Sequence, residues 1–214
     1  MPRGGDPPLS ELALLGEGSL LALSGIGRAA AAAAAQALVD AGASSLMTFG
    51  MAGGLDPNLK PGSVVIPGEV LLAEGGRYTT SRAWREQVAA AISPLCAVSE
   101  GNLLTSTHAI ETPAEKAAAF RDTGAAAVDM ESAAVAEIAA KHHLPFIAVR
   151  VIVDTATDVL PRAVVAASRL GRVRFGRLIG GLILAPREIV GLIRLAQRYR
   201  IAMRSLHAIG AHLA

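Results

Sequence analysis

Three short stretches of this chain carry residues that could do chemistry. Asp129 and Glu131 flank Met130 where a β-like run, Ala125–Met130, gives way to an alanine-rich helical one. Asp154 closes the apolar run Phe146–Asp154 (FIAVRVIVD), with Arg150 on the same face. Gly50–Gly54 (GMAGG) follows the β-like run Ser45–Gly50. Alternation along a strand puts Asp129 and Glu131 on one side. Glu131 reads either as a carboxylate stabilised by a helix N-terminus or as an acceptor for two adjacent hydroxyls, as a ribose diol would offer. A charge inside an apolar strand needs a partner, so Arg150 either holds one of these carboxylates or makes a purely structural ion pair. The glycines serve either a tight strand-to-helix turn or close approach of backbone N–H groups to a ligand. Gly25-Ile26-Gly27 is half of a dinucleotide fingerprint. Position 30 is alanine, and no acidic residue ends a second strand about 20 residues on, which excludes NAD.

The elements that must position these residues alternate between β-rich and alanine-rich runs, the pattern of a parallel or mixed α/β sheet. Strands are expected at Ser19–Ser24, Ser45–Gly50, Ser63–Ile66, Asn102–Thr107, Ala125–Met130 and Phe146–Asp154. Helices are expected at Arg28–Ala41, Trp84–Ile92, Pro113–Arg121 (proline in the first turn) and Glu131–His143. Two helical tracts follow, Ala163–Leu184 and Arg187 onward, with Pro186 between them. In such a sheet ligands bind beyond the carboxyl ends of the strands, and all three chemical features fall at such ends.

Composition narrows the field. The 214 residues fit one domain, and with 52% hydrophobic and 18% charged residues general disorder is excluded. Seven aromatic residues are too few for platforms that stack single-stranded nucleic acid, so no nucleic-acid partner is expected. Cys96 is the only cysteine, and the five histidines have no zinc-ligand spacing, so neither a disulfide scaffold nor a metal site is expected. No apolar run reaches the roughly 18 residues of a spanning helix, and residues 1–10 lack a signal-peptide core, so the expected compartment is the cytoplasm. The net charge of +2 hides an asymmetry: residues 162–214 carry ten arginines against Glu188, while residues 1–161 are net acidic. The chain therefore divides into a catalytic body, 1–161, and a basic, apolar helical extension, 162–214. On a helical wheel from Arg187, Arg187, Arg194 and Arg198 fall together, opposite Leu192, Ala196, Tyr199 and Met203. Basic beside apolar residues is the pattern of a helix lying in a membrane interface. The other reading is a helix packed on the domain or on another subunit.

Gly50–Pro67 (GMAGGLDPNLKPGSVVIP), Ala127–Ala139 (AVDMESAAVAEIA) and Pro145–Asp158 (PFIAVRVIVDTATD) resemble, in order and spacing, the three signature blocks of the nucleoside phosphorylase and methylthioadenosine nucleosidase superfamily. The GLDP and AVDMES wording and the basic C-terminal extension are most similar to hopanoid-associated phosphorylases, which release adenine from adenosylhopane. The resemblance implies a single three-layer α/β domain around a central mixed, twisted sheet, and a homo-oligomer. It implies that Met130 packs on the ribose, that Glu131 binds its 2′ and 3′ hydroxyls, and that Ala52, Gly53 and Asp129 belong to the substrate site. Asp154 would be the general acid that protonates purine N7, with Arg150 in structural support. No cofactor is implied, and the co-substrate is either phosphate or water. Soluble nucleosides such as methylthioadenosine or adenosylhomocysteine, or an inactive nucleoside-binding role, are the alternatives. The sequence departs from the family pattern in two places. No convincing equivalent of the first strand and its nucleophile-positioning acid is found, Glu11 and Glu17 being in the wrong context, and Val153 stands where serine is frequent. No arginine lies in Gly50–Gly54 to receive phosphate, which either leans toward water as the nucleophile or leaves the phosphate site unexplained, so phosphorolysis and hydrolysis both stay open.

Overall fold

The computed structural model describes residues 12–14, 18–25, 27–160 and 186–213, with the last range's side chains described from Arg194 onward. Among these residues ten strands and five helices follow the chain: β1 (Leu12–Leu14), β2 (Leu20–Ala22), α1 (Arg28–Asp40), β3 (Leu46–Gly54), β4 (Val64–Val65), β5 (Glu69–Leu72), β6 (Arg77–Thr79), α2 (Arg82–Ile92), β7 (Val98–Ser99), β8 (Leu103–Thr105), α3 (Pro113–Thr123), β9 (Ala127–Asp129), α4 (Ser132–Lys141), β10 (Phe146–Asp154) and α5 (Pro186–Leu213). Eight strands form one mixed sheet in the order β6-β5-β8-β9-β3-β10-β4-β7. The β10–β3, β5–β8, β8–β9 and β4–β7 pairs are parallel; β10–β4, β3–β9 and β5–β6 are antiparallel. This is the mixed α/β fold that the alternating runs predict.

β10 shows why the layers form. It is a near-continuous Val/Ile run, as a strand covered on both faces requires. Ile147, Val149 and Val151 pack with Val88 and Ile92 of α2 and Ala202 and Ile209 of α5. Phe146, Ala148 and Ile152 pack on the other face against Ala31 and Ala35 of α1 and Ala133, Ala136 and Ala139 of α4. Alanine lets those two helices approach each other and the sheet closely. Helices on both faces make three layers.

Four features differ from the sequence reading. β3 does not turn at Gly50 but runs to Gly54, because Gly53 and Gly54 still pair with Val128 and Ala127 of β9. The β5–β6 hairpin was not expected; Gly75 and Gly76, at φ 94° and 104°, make its turn, a conformation that glycine alone adopts without strain. β7 was also not expected. β1 and β2 pair only with each other and stand apart from the eight-stranded sheet, with Leu14 and Leu23 exposed. Glu11, Glu17 and the tract Ala163–Leu184 lie outside the described residues.

The C-terminal helix is turned relative to the wheel drawn from the sequence. Ala202 and Ile209 are fully buried, with Leu206 and Leu213 beside them, whereas Ala196 and Tyr199 face outward. Arg198 points inward instead and pairs with Asp158. The burial of this helix on the sheet and the pull of that carboxylate set the rotation, which amphipathicity alone did not reveal. No helix among the described residues is long and apolar enough to cross a membrane.

Candidate active site

β10 delivers two charged side chains, but not to one face as strand alternation predicts: Arg150 points to the α1/α4 face, whereas the register irregularity at Ile152/Asp154 turns Asp154 to the other side, beside Val128 and Lys116 of α3. Arg150 is 4% exposed. Its Nε donates to Asp129 Oδ2 at 2.9 Å, and its Nη2 donates to Thr48 Oγ1 at 2.7 Å and Ser132 Oγ at 2.9 Å. Gly50 makes room for it: a Cβ there would stand 2.6 Å from Nη1. Asp129 is consumed by the same network. Its Oδ1 accepts from Thr105 Oγ1 at 2.8 Å, and its Oδ2 also takes the Ser132 N–H at 3.1 Å. One buried cluster thus ties β3, β8, β9, β10 and the start of α4 together. Among the described residues no fully buried side-chain polar atom of this cluster lacks a partner, which is the condition for burying charge. Asp129 therefore reaches the substrate region as part of its wall, with both oxygens spent inside the protein.

The cluster sets where the next residues go. Glu131 precedes α4 and is partly buried. Its Oε1 accepts the Gly27 N–H at 2.9 Å and its Oε2 the Met130 N–H at 3.2 Å. A carboxylate has about four acceptor sites, so each oxygen keeps capacity for a hydroxyl. Gly27 has φ 100°, and its N–H is aimed by that left-handed bend. Gly27, from a glycine pair unsuited to a dinucleotide, thus bears on the site in a different way.

Asp154 ends β10, past an irregularity in the β3 register at Ile152/Asp154. It is 4% exposed and pairs with Lys116, whose side chain is 0% exposed. Burial pushes the Asp154 carboxyl above its ordinary range, against the pull of the Lys116 ammonium. A Cβ at Gly53 would crowd its two oxygens at 3.2 and 3.3 Å, so glycine is needed there. Behind Asp154 the loop is pinned by Asp158, whose Oδ2 accepts from Thr155 N and Oγ1, both at 2.8 Å, and from Arg198 of α5. Partial burial pulls Asp158 upward, but the Thr155 and Arg198 bonds outweigh it and hold this carboxyl below its usual value.

Ala52, Gly53, Asp129, Met130, Glu131 and Asp154 line one cavity of about 200 Å³. Met51, Val153 and Leu160 add apolar wall, and His108, Ala109 and Ile110 close it from the loop before α3. All five substrate-binding candidates and the acid candidate meet here, while Arg150 stands behind Asp129. Sequence reasoning missed Lys116 and the 108–110 segment. The signal for Lys116 was weak: a lone cation before an alanine run, in a helix whose Thr112/Glu115 capping box fixes its start. His108–Ile110 carried no spacing that marks a site. Among the described residues no group of side chains could hold a metal ion.

Solved structures share this architecture. The 5′-methylthioadenosine/S-adenosyl homocysteine nucleosidase of Helicobacter pylori superposes with a TM-score of 0.64 at 16% identity, covering 94% of this chain and 87% of that one. Futalosine hydrolase of the same organism gives 0.62 at 16% identity, with 93% and 88% covered. The Campylobacter jejuni 5′-methylthioadenosine/S-adenosyl homocysteine nucleosidase gives 0.62 at 20% identity, with 71% and 76% covered. The sequence itself matches the phosphorylase superfamily over residues 13–183, a span that includes every residue of the cavity, and the chain belongs to that family.

Proposed function

We propose that this protein cleaves the N-glycosidic bond of a purine nucleoside, with Asp154 as general acid and Glu131 as the receptor of the ribose hydroxyls. The observation that carries the reading is the meeting of these two carboxyls in one cavity, one accepting two backbone N–H groups and the other pushed by burial toward its acid form. Bond breaking leaves an oxocarbenium-like sugar and an anionic base. Glu131 lies where negative charge stabilises the first, and protonation by Asp154 neutralises the second.

Water is the nucleophile in this reading. Phosphate needs cationic or N–H donors, yet the charged side chains in the described lining are Asp129, Glu131 and Asp154. The nearby buried cations, Lys116 and Arg150, are already bound to Asp154 and Asp129. The structural neighbours named as nucleosidases and as a hydrolase agree with this.

The substrate we favour is adenosylhopane, a nucleoside with a large apolar 5′ group. Met51, Ile110, Val153 and Leu160 give the cavity apolar wall, and the arginines of residues 162–214 other than Arg198, which Asp158 holds, suit an anionic lipid surface, each such cation adding about 1 kcal/mol of attraction. A homo-oligomer that docks peripherally on the inner face of the membrane fits this substrate. The test compares adenine release from adenosylhopane in anionic vesicles with release from methylthioadenosine in solution, each with and without phosphate. Faster cleavage of the lipid, falling with added salt and giving a free ribosyl product, is expected. Preference for methylthioadenosine removes the lipid assignment, and a phosphate-dependent sugar phosphate removes hydrolysis.

Glu131→Gln checks the diol assignment. Charge-assisted hydrogen bonds are lost, so kcat/KM on the ribosyl substrate should fall about 10- to 100-fold. The 2′-deoxy substrate should lose much less. An unchanged preference for ribose over 2′-deoxyribose would show that Glu131 does not read the diol.

A further inference from the structure

A lysine with no exposed surface is rare, because burying an ammonium is costly unless it is fully paired. Lys116 meets that condition with two acceptors: Asp154 Oδ2 and the Thr155 carbonyl at 2.8 Å. Both belong to the end of β10, so a residue of α3 grips the acid candidate from behind. α3 is itself anchored to the cavity wall. Its capping box orders Thr112, and Glu111 beside it accepts the Leu160 N–H at 2.9 Å. Stability alone is a weak reason for such a pair, since a buried ion pair and a well-packed apolar pair of the same volume are often close in free energy.

The arrangement divides the two oxygens of Asp154. Oδ2 is occupied by Lys116, and among the described residues nothing donates to Oδ1. We propose that Lys116 is a positioning residue for proton transfer: it fixes Asp154 through Oδ2, leaves Oδ1 to carry the transferable proton, and stabilises the carboxylate that forms. The inference rests on the reading of Asp154 as the acid. In the step itself the Oδ1 proton passes to a ring nitrogen of the purine as the C1′–N9 bond breaks and its electron pair goes to the base. The water oxygen bonds to C1′, and the proton that water sheds restores the Asp154 acid. Lys116 neither gains nor loses a proton.

The other charges facing Asp154 come from Asp158 in the following loop, which raises it, and Arg198 of α5, which lowers it. His108, Asp129 and Glu131 share the cavity. None of these donates to Asp154, so the fixed geometry comes from Lys116.

The test is Lys116→Met, made in the parent and in the Asp154→Asn background, with Lys116→Gln as a second variant that keeps an N–H donor without charge. In the parent, kcat should fall about tenfold or more with little change in KM, because the acid is weaker and less well aimed. The high-pH limb of kcat should move to higher pH, because loss of the cation raises the Asp154 pKa. In the Asp154→Asn background, Lys116→Met should change kcat less than about twofold, since residues acting as a unit are not additive. Lys116→Gln should show the limb shift with a smaller loss of kcat. A limb that stays in place, or full multiplicative loss on top of Asp154→Asn, overturns the inference while leaving the glycosidic reading intact. A parent protein that releases no purine base from any ribosyl nucleoside overturns that reading, and this role with it. Should the methionine variant not fold, the glutamine variant and the Lys116 ¹⁵Nζ signal of the parent carry the test; that signal must follow the Asp154 titration, and one that ignores it overturns the pairing.

Discussion

Asp154→Asn is expected to fold as the parent does and to lose about 10²–10⁴-fold in kcat. Asparagine fills the same volume and can still accept from Lys116 through its oxygen, so the grip of α3 on β10 survives. What disappears is the proton. The leaving purine must then depart as an anion, and the amide offers it only a weak N–H. KM should change little, since the proposed mechanism gives the sugar contacts to Glu131 and the apolar wall. The pH dependence has a definite sign. The proposed mechanism needs the acid form of Asp154, and burial raises its pKa above the ordinary value. Activity should therefore persist above the usual carboxylate range and fall as pH rises through the raised pKa. The same shift acts on stability. The folded state binds the proton more tightly than the unfolded chain, so this contribution is fully present below the unfolded pKa and is lost as pH rises through the folded one. Asp158 runs the other way: its lowered pKa stabilises the fold above the unfolded value and is lost on acidification. The measurement is kcat and Tm against pH for both proteins. A variant that keeps more than a tenth of the parent kcat shows that Asp154 is not the principal acid.

The ends of strands were legible in the sequence because hydrophobic runs stop there. Phe146–Asp154 reads as a buried strand from its Val/Ile content, and its observed bounds are those. Asp129, Glu131 and Asp154 follow from that alternation, since a carboxylate at the end of an apolar run must either meet solvent or find a partner. The partners themselves were not legible. Lys116 lies 38 residues before Asp154, and nothing local distinguishes it from a solvated helix lysine. The glycines were legible as special but not in their role. Gly50 and Gly53 read either as a turn or as room for a ligand, because from sequence alone a glycine's conformational freedom is easier to see than which side chain fills the space it leaves. In the fold they remain in β3, and the space serves Arg150 and Asp154. The short strands β5, β6 and β7 were missed because two to four residues carry too little period to register. The rotation of α5 was hidden because an inward arginine makes sense only once Asp158 is in place.

Arg150→Met should cost about 3–5 kcal/mol of stability, because it leaves a buried carboxylate without its cation. For a domain of this size that is a fall in Tm of roughly 6–20 °C. Methionine replaces the aliphatic stem well, so the cost measures the guanidinium rather than a cavity. Three bonds are lost together, to Asp129, Thr48 and Ser132, and they join β3, β9, β10 and α4 at their shared end. The orphaned Asp129 would still hold Thr105 and Ser132. A double variant, Arg150→Met with Asp129→Leu, separates the orphaned charge from the pair itself. Removing both charges should recover part of the loss, since a buried pair and an apolar pair of similar volume are close in free energy. If the single variant melted within 2 °C of the parent, the cluster would have no role in holding the strands together. Activity should fall as well, through a different route. Met130 and Glu131 are the residues that follow Asp129, and α4 starts at Ser132, so losing the arginine loosens both ends of the turn that presents Glu131. That loss should appear in KM for ribosyl substrates, whereas Asp154→Asn should act on kcat.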